Sequence, residues 1–223
     1  MRVVGHRGCP ELYPENTALA FGEASARCDW IEFDVRRCGS GEPVVLHDET
    51  LARTVGVERA VADLSLSDLR AYSVGDSDEP VPTLAAALAA VPEDTVVNVE
   101  LKEEGLAEAV ADAADRVGNE VVVSSFSPAA LRATQAASGL PIATVTMDPD
   151  AWEDTLALAT ELDAEYVHPR YDLLFSRPTR VAEAHDRGLD VNAWTLRSAE
   201  PFDRVAALGV DGVIVDDPAY AGR

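Results

Sequence analysis

Lysine is almost absent from this chain: 17 of its 18 basic residues are arginines, and Lys102 is the single exception. Basic residues of either kind are scarce beside 40 acidic ones, which leaves a net charge of -22. Such a balance disfavours nucleic acid and anionic membrane surfaces as partners, by simple repulsion. Strong acidity with so little lysine predicts a protein adapted to high salt, where carboxylates keep the surface solvated. Cysteine is also rare. Cys9, Cys28 and Cys38 form an odd set with no C-x-x-C spacing, so reduced thiols in a reducing compartment are expected. Long apolar runs are missing too. Nothing approaches the roughly 20 residues that cross a bilayer, and Met1 to His6 contains no apolar stretch of the kind a secretory leader carries. A cytoplasmic location without stable membrane insertion is therefore expected. Nothing in the sequence points to an oligomeric state.

What the chain does have is apolar content. Hydrophobic residues make up 47% of its 223 positions, enough to bury a full core and to set it apart from disordered acidic chains. Short β-branched runs alternate with alanine-rich stretches along the whole length. Strands are expected at Arg2–His6, Trp30–Arg36, Val96–Lys102, Val121–Phe126, Ile142–Met147, Tyr166–Pro169, Val191–Leu196 and Val210–Val215. Helices are expected at Thr17–Arg27, Leu84–Val91, Leu106–Val117, Pro128–Ala137, Ala151–Leu162, Arg180–Arg187 and Glu200–Leu208. Ser127 before Pro128 has the form of a helix N-cap, and Gly188 and Gly209 stand where left-handed C-caps belong. This alternation predicts an α/β fold with a parallel sheet, and eight strands favour a closed (β/α)8 barrel over an open doubly wound sheet. One segment breaks the rhythm. Residues 38–82 hold a second short apolar run, Val44–Leu46, a possible short helix at Leu66–Tyr72 and acidic turns, which reads as an insertion after the second strand within one domain spanning residues 1–223.

In such a barrel the C-terminal strand ends converge on one mouth, and alternate residues share a face. Glu32 and Asp34 are two apart on the second strand, and Glu100 and Lys102 are two apart on the next long one. His6 ends the first strand and is followed by Arg7 and Gly8. Three converging carboxylates would repel one another, and some would have to protonate. A hard divalent cation, Mg²⁺ or Ca²⁺, resolves the conflict with Glu32, Asp34 and Glu100 as ligands. Two solvated carboxylates on an exposed strand are the alternative, but Trp30, Ile31, Phe33 and Val35 mark this strand as buried, where bare charge is expensive. Lys102, as a compact point charge, suits a phosphate oxygen or an ion pair with Glu100. Arg7 can hold a phosphate bidentately, with Gly8 allowing close backbone approach. His6 and His47 each end a strand-like run and suit the two proton transfers of phosphodiester cleavage. His168 ends the sixth strand and could line the mouth, whereas His185 reads as structural.

Taken together these residues resemble a known family. His6-Arg7-Gly8, Pro14-Glu15-Asn16-Thr17, Ile31-Glu32-Phe33-Asp34-Val35 and Val44-Val45-Leu46-His47-Asp48, through Leu51 and Arg53-Thr54, look like the N-terminal signature of glycerophosphodiester phosphodiesterases. The likeness continues through Asn98-Val99-Glu100-Leu101-Lys102, Ser125-Phe126, Ala193-Trp194-Thr195 and Gly209-Val210-Asp211-Gly212, and so covers nearly the whole chain. It implies a (β/α)8 barrel that hydrolyses small-molecule glycerophosphodiesters to glycerol phosphate and an alcohol, a step of lipid and glycerol metabolism. The family's metal ligands fall on Glu32, Asp34 and Glu100, its acid/base histidines on His6 and His47, and its phosphate contacts on Arg7 and Lys102. In family terms the substrate's glycerol hydroxyl attacks phosphorus, and water then opens a cyclic phosphate. Phe126 and Trp194 would line the pocket against the glycerol or alcohol part, or pack in the barrel core. Two departures stand out: Ser40-Gly41 where the family usually has an acidic residue before glycine, and Val215-Asp216 where threonine often precedes the aspartate. Both bear on loop conformation and substrate contacts more than on catalysis.

Two rival readings share the fold. A phospholipase C- or D-type phosphodiesterase would carry an apolar or basic docking loop, but the insertion is acidic, with Asp63, Asp68, Asp76, Asp78 and Glu79. A non-catalytic phosphodiester-binding barrel would have lost a histidine or a ligand, and none is lost. Fold alone does not decide, since barrels host many chemistries.

Overall fold

A computed structural model describes residues 1–222. Among the described residues nine strands form in chain order: β1 (Arg2–His6), β2 (Trp30–Arg37), β3 (Pro43–Val45), β4 (Val96–Leu101), β5 (Val121–Ser125), β6 (Ile142–Thr146), β7 (Tyr166–Pro169), β8 (Asp190–Leu196) and β9 (Gly212–Val215). Valine dominates several of them, as in the Val121-Val122-Val123 run of β5, because a branched side chain fits a pleated surface buried on both faces. All but β3 run parallel, each paired to the next, and β1 pairs with both β2 and β9 to close the ring. The result is a (β/α)8 TIM barrel. The short β3 lies outside the ring, antiparallel to the far end of β2, with Val35 opposite Val45.

The helices are α1 (Ala18–Ala24), α2 (Ala52–Val55), α3 (Leu66–Leu69), α4 (Leu84–Ala90), α5 (Ala107–Ala114), α6 (Pro128–Ala137), α7 (Trp152–Glu161), α8 (Tyr171–Ser176), α9 (Thr179–His185) and α10 (Phe202–Ala206). The main core lies between ring and helices and includes Phe21, Ile31, Phe33, Val97, Val99 and Trp152. A smaller cluster of Val4, Trp30, Val122, Ala143 and Ile214 fills the barrel interior, so the barrel is plugged below its mouth. Among the described residues no helix is long and apolar enough to cross a membrane.

The expected elements form, usually a residue or more shorter at one end. Thr17 is not helical but caps α1, its hydroxyl accepting the Ala20 amide at 3.2 Å. Ser127 caps α6 in the same way, with Pro128 in the first turn. The last strand starts at Gly212, not Val210, because Asp211 turns its carboxylate to the Val191 amide at 2.8 Å. The helix α8 went unread in the sequence, since six residues are too few to show a helical period. The segment between β2 and α4 carries β3, α2 and α3, and Cys38, Val44, Leu46, Leu51, Val61, Leu64, Leu69, Val74 and Val81 pack into a cluster of their own. Its helix at Leu66 ends at Leu69, three residues earlier than expected, although Ser65 and Asp68 form a full capping box at its start.

Candidate active site

Strand register brings the carboxylates together. His6 lies beside Glu32, Glu32 beside Asn98, and Asp34 beside Glu100 across β1, β2 and β4. Glu32, Asp34 and Glu100 each present an oxygen within 4.8 Å of the others. At the end of β1 the chain turns sharply through Arg7, Gly8 and Cys9, with φ of 51°, 78° and 68°. The turn aims the Arg7 amide at Glu32 Oε2, 2.9 Å away. A side chain at Gly8 would meet Ala20 Cβ at 2.7 Å. A close approach to α1 therefore requires this glycine.

The three carboxyl groups do not share one fate. Burial pushes Glu32 well above the usual carboxylate range, and the neighbouring charges of Asp34 and Glu100 push the same way. Burial also raises Glu100, with Asp34 adding to the effect against the opposing pull of Lys102. Burial would raise Asp34 as well, but Lys102 and Arg7 overcome it and hold that carboxyl below its ordinary value. Lys102 Nζ lies 2.8 Å from Asp34 Oδ1 and also donates to Glu100 Oε1. Asp34 Oδ2 accepts Asn16 Nδ2 at 3.0 Å and lies 3.0 Å from Arg7 Nε, an ion pair too oblique for a hydrogen bond. Glu32 Oε1, in contrast, is buried without a hydrogen-bond partner among the described residues. Two buried carboxylates and a half-buried one face two cations, and Glu32 Oε1 is left as a buried acceptor with no partner among the described residues. This donor set of oxygens alone fits a hard divalent cation.

Each histidine of the proposed acid/base pair has its own carboxylate. His6 Nδ1 lies 2.6 Å from Asp216 Oδ1, and Arg197 Nε donates to the other oxygen of Asp216 at 3.1 Å. His47 Nδ1 lies 2.6 Å from Asp48 Oδ1. Burial holds His47 below its ordinary pKa, aided by the positive charges of Lys102 and Arg7 against the pull of Asp34. Arg53 on α2 donates from Nε to Asp48 Oδ2 at 2.6 Å and reaches Glu15 with both terminal nitrogens. Glu15 in turn accepts from Arg7 Nη1 at 3.1 Å.

A cavity of about 350 Å³ joins these groups, lined by His6, Arg7, Glu32, His47, Glu100 and Lys102 on one side. Phe126, Val145, Met147, Trp194 and Ile214 line the other. All the sequence-predicted site residues line this cavity except Asp34, which lies behind it under Arg7 and Lys102. Phe126 and Trp194 meet edge to face at 5.7 Å; Phe126, 44% exposed, is a rim residue, while Trp194 both lines the cavity and packs against the cluster inside the barrel. His168 lines the floor, but it is buried and lies 3.0 Å from Asn192 Nδ2, and burial beside Arg2 lowers its pKa to about 3. His185 pairs with Asp211 away from the cavity, at 2.8 Å. Sequence reasoning missed Asp216 as a partner of His6, although its place two residues after the inward-facing Ile214 was the available signal. It also gave no role to Glu15, Asp48 or Arg53 beyond membership of a motif.

Comparison with known proteins gives a consistent result. The Glycerophosphoryl diester phosphodiesterase family matches residues 6–220. A glycerophosphodiester phosphodiesterase of Caldanaerobacter subterraneus subsp. tengcongensis is 31% identical over 97% of this chain and 94% of its own length. Among solved structures, an Oleispira antarctica phosphodiesterase in complex with the product sn-glycerol-3-phosphate has a TM-score of 0.89 at 25% identity, covering 100% of this chain and 97% of the other. A glycerophosphodiester phosphodiesterase of Thermotoga maritima has a TM-score of 0.83 at 27% identity, over 98% and 95% of the two chains.

Proposed function

The chain belongs to the glycerophosphoryl diester phosphodiesterase family, and from that membership we propose a metal-assisted hydrolysis of glycerophosphodiesters at the mouth of its barrel, by histidine acid/base catalysis. The products are a glycerol phosphate and an alcohol. The observation that carries this reading is the convergence of Glu32, Asp34 and Glu100 beside two histidines that each hold a carboxylate. Glu32, Asp34 and Glu100 would hold one divalent cation, Mg²⁺ or Ca²⁺, which when bound supplies positive charge against the phosphoryl oxygens.

The chain's own residues do the rest. Arg7 and Lys102, already between the carboxylates, are placed to share their charge with a phosphate at the same opening. Asp216 and Asp48 hold Nδ1 of His6 and His47, so Nε2 of each ring is the nitrogen left for proton exchange. One histidine takes the proton of the glycerol hydroxyl as its oxygen bonds to phosphorus. The other gives a proton to the alcohol oxygen as its bond to phosphorus breaks. Water then opens the cyclic phosphate, with the two rings exchanging roles. Phe126 and Trp194 would hold the carbon skeleton of the substrate against the apolar wall. Residues 1–223 act as one catalytic domain in this reading, and we place the enzyme in the cytoplasm, where Cys9 and Cys28, 3.7 Å apart, stay reduced.

Hydrolysis of a panel of glycerophosphodiesters, before and after thorough chelation, tests the proposal. Turnover should vanish with the metal and return with Mg²⁺ or Ca²⁺. Turnover that continues unchanged without metal would overturn the carboxylate site. Glu32→Gln and His47→Ala should each abolish turnover with the fold intact, and substantial residual turnover in either would remove that residue from the mechanism.

A further inference from the structure

The insertion between β2 and α4 has its own hydrophobic cluster, distinct from the barrel's, yet it supplies His47. Something must fix that ring relative to Arg7, which belongs to the barrel. The backbone gives part of the answer: the Leu46 amide donates to Asp34 O at 3.0 Å, and Arg36 Nε donates to His47 O at 2.7 Å. Neither contact controls the ring itself. A backbone anchor leaves both side-chain torsions open.

We propose that Arg53 is a positioning residue, holding the His47 ring through Asp48 and the Arg7 guanidinium through Glu15 at the same time. The inference rests on the reading of His47 and Arg7 given above. Arg53 uses all three of its guanidinium nitrogens. Nε lies 2.6 Å from Asp48 Oδ2, Nη1 2.5 Å from Glu15 Oε2 and Nη2 2.8 Å from Glu15 Oε1. The second oxygen of Asp48 is on His47 Nδ1 at 2.6 Å, and Glu15 Oε1 also takes Arg7 Nη1 at 3.1 Å. The chain His47–Asp48–Arg53–Glu15–Arg7 is thus continuous, and it crosses from the insertion to the loop after β1. Arg53 sets three nitrogens in fixed directions on these two carboxylates, a planar fork that the single nitrogen of a lysine ammonium does not reproduce.

Half-exposed ion pairs usually contribute little to stability, and Arg53 is 48% exposed at its side chain. A merely structural pair therefore predicts an unchanged enzyme. Arg132, 51% exposed and bidentate to Glu161 on the outer surface, provides that comparison. Positioning predicts something else. In Arg53→Ala, kcat should fall by about 10- to 100-fold, the range seen when a residue that orients an active-site ligand is removed, with KM moving less. Arg132→Ala should leave both unchanged.

The experiment combines kinetics of Arg53→Ala, Arg53→Lys and Arg132→Ala with histidine side-chain NMR of the same proteins, the chain having only four histidines. Arg53→Lys should recover little of the lost kcat, whereas added methylguanidinium should recover part of it in Arg53→Ala and none in His47→Ala. The His47 ring signals should shift in Arg53→Ala while those of His185 stay in place. Wild-type kcat together with wild-type His47 signals in Arg53→Ala would overturn the inference. Should Arg53→Ala fail to fold, the lysine variant decides: full activity with unshifted His47 signals refutes the fork. Because the NMR readout needs no turnover, a wild-type protein inactive on every diester would refute the proposed function, while the shift of His47 would still stand or fall separately.

Discussion

His168 gives the sharpest test of how burial controls charge in this barrel. Its ring is buried on the floor of the cavity, close to Arg2, and these two influences lower its pKa to about 3. An unfolded histidine titrates near 6.5. Between those two values the unfolded chain binds a proton at this residue and the folded chain does not. Stability must then fall as pH falls through that window, with a limiting slope of about 1.4 kcal/mol per pH unit. Going from about pH 7 to about pH 4.5, the cost from this one group comes to about 2–3 kcal/mol. The perturbation is His168→Gln, which keeps an acceptor for Asn192 but cannot be protonated. Urea unfolding of wild type and variant at both pH values gives four free energies. The many carboxylates also titrate across this range, but they do so in both proteins and cancel in the difference. The variant should lose about 2–3 kcal/mol less than wild type on acidification, whatever its stability at neutral pH. Stability curves that run parallel, within about 0.5 kcal/mol, would show that His168 is protonated in the folded state. The account of His168 as a buried, neutral ring on the cavity floor would then be wrong.

Other expectations are more direct. Asp216→Asn should free the His6 ring to take the wrong tautomer and lower kcat by about tenfold or more, bounded by the 10²–10⁴ that general acid/base catalysis contributes; steady-state kinetics with unchanged circular dichroism checks this. Gly8→Ala forces a side chain into a φ of 78° and against Ala20 Cβ at 2.7 Å. The loss should be about 2–4 kcal/mol in chemical denaturation, from left-handed strain and overpacking together, and a loss below about 1 kcal/mol would contradict the packing described. With a net charge of -22, the protein should melt at a higher temperature in molar KCl than in dilute buffer, because screening relieves self-repulsion. Greatest stability in dilute buffer would end the high-salt reading.

Much of the fold was legible because β-branched runs and alanine-rich stretches differ in period, and because each strand is short and bounded by clear turn residues. The run Val96–Lys102 could be read directly, one residue beyond where the strand ends, and so could the paired spacing of Glu32 with Asp34 and of Glu100 with Lys102. Contacts made by ring closure were not legible. Asp216 reaches His6 across 210 residues of sequence, and only the pairing of β1 with β9 makes them neighbours. Arg53 lay in plain sight beside Thr54, but no local pattern says that a half-exposed arginine on a single helical turn will find two carboxylates from different loops. Gly8 shows a third kind of gap. The need for glycine was visible, while its cause, contact with Ala20 on α1, depends on how the first helix returns onto the strand.

The charge at the mouth is not evenly spread, and the asymmetry says which part of the site is incomplete. Asp34 has Lys102 on one oxygen, with Asn16 and Arg7 at the other, and is held in its ionised form. Glu100 has Lys102 on one oxygen. Glu32 has a backbone amide on one oxygen and, among the described residues, nothing on the other, and its carboxyl is pushed toward the protonated form. The carboxyl whose ionised form is least supported is therefore Glu32, beside the His6 end of the cavity, and not the carboxylate the two basic residues already serve. A single lysine between Asp34 and Glu100 fits this division. Its compact ammonium can serve two acids at once without blocking the opening, where a broader guanidinium would extend toward Glu32. An arginine-rich chain that keeps one lysine has placed it where the smaller cation leaves the third carboxylate open to the mouth.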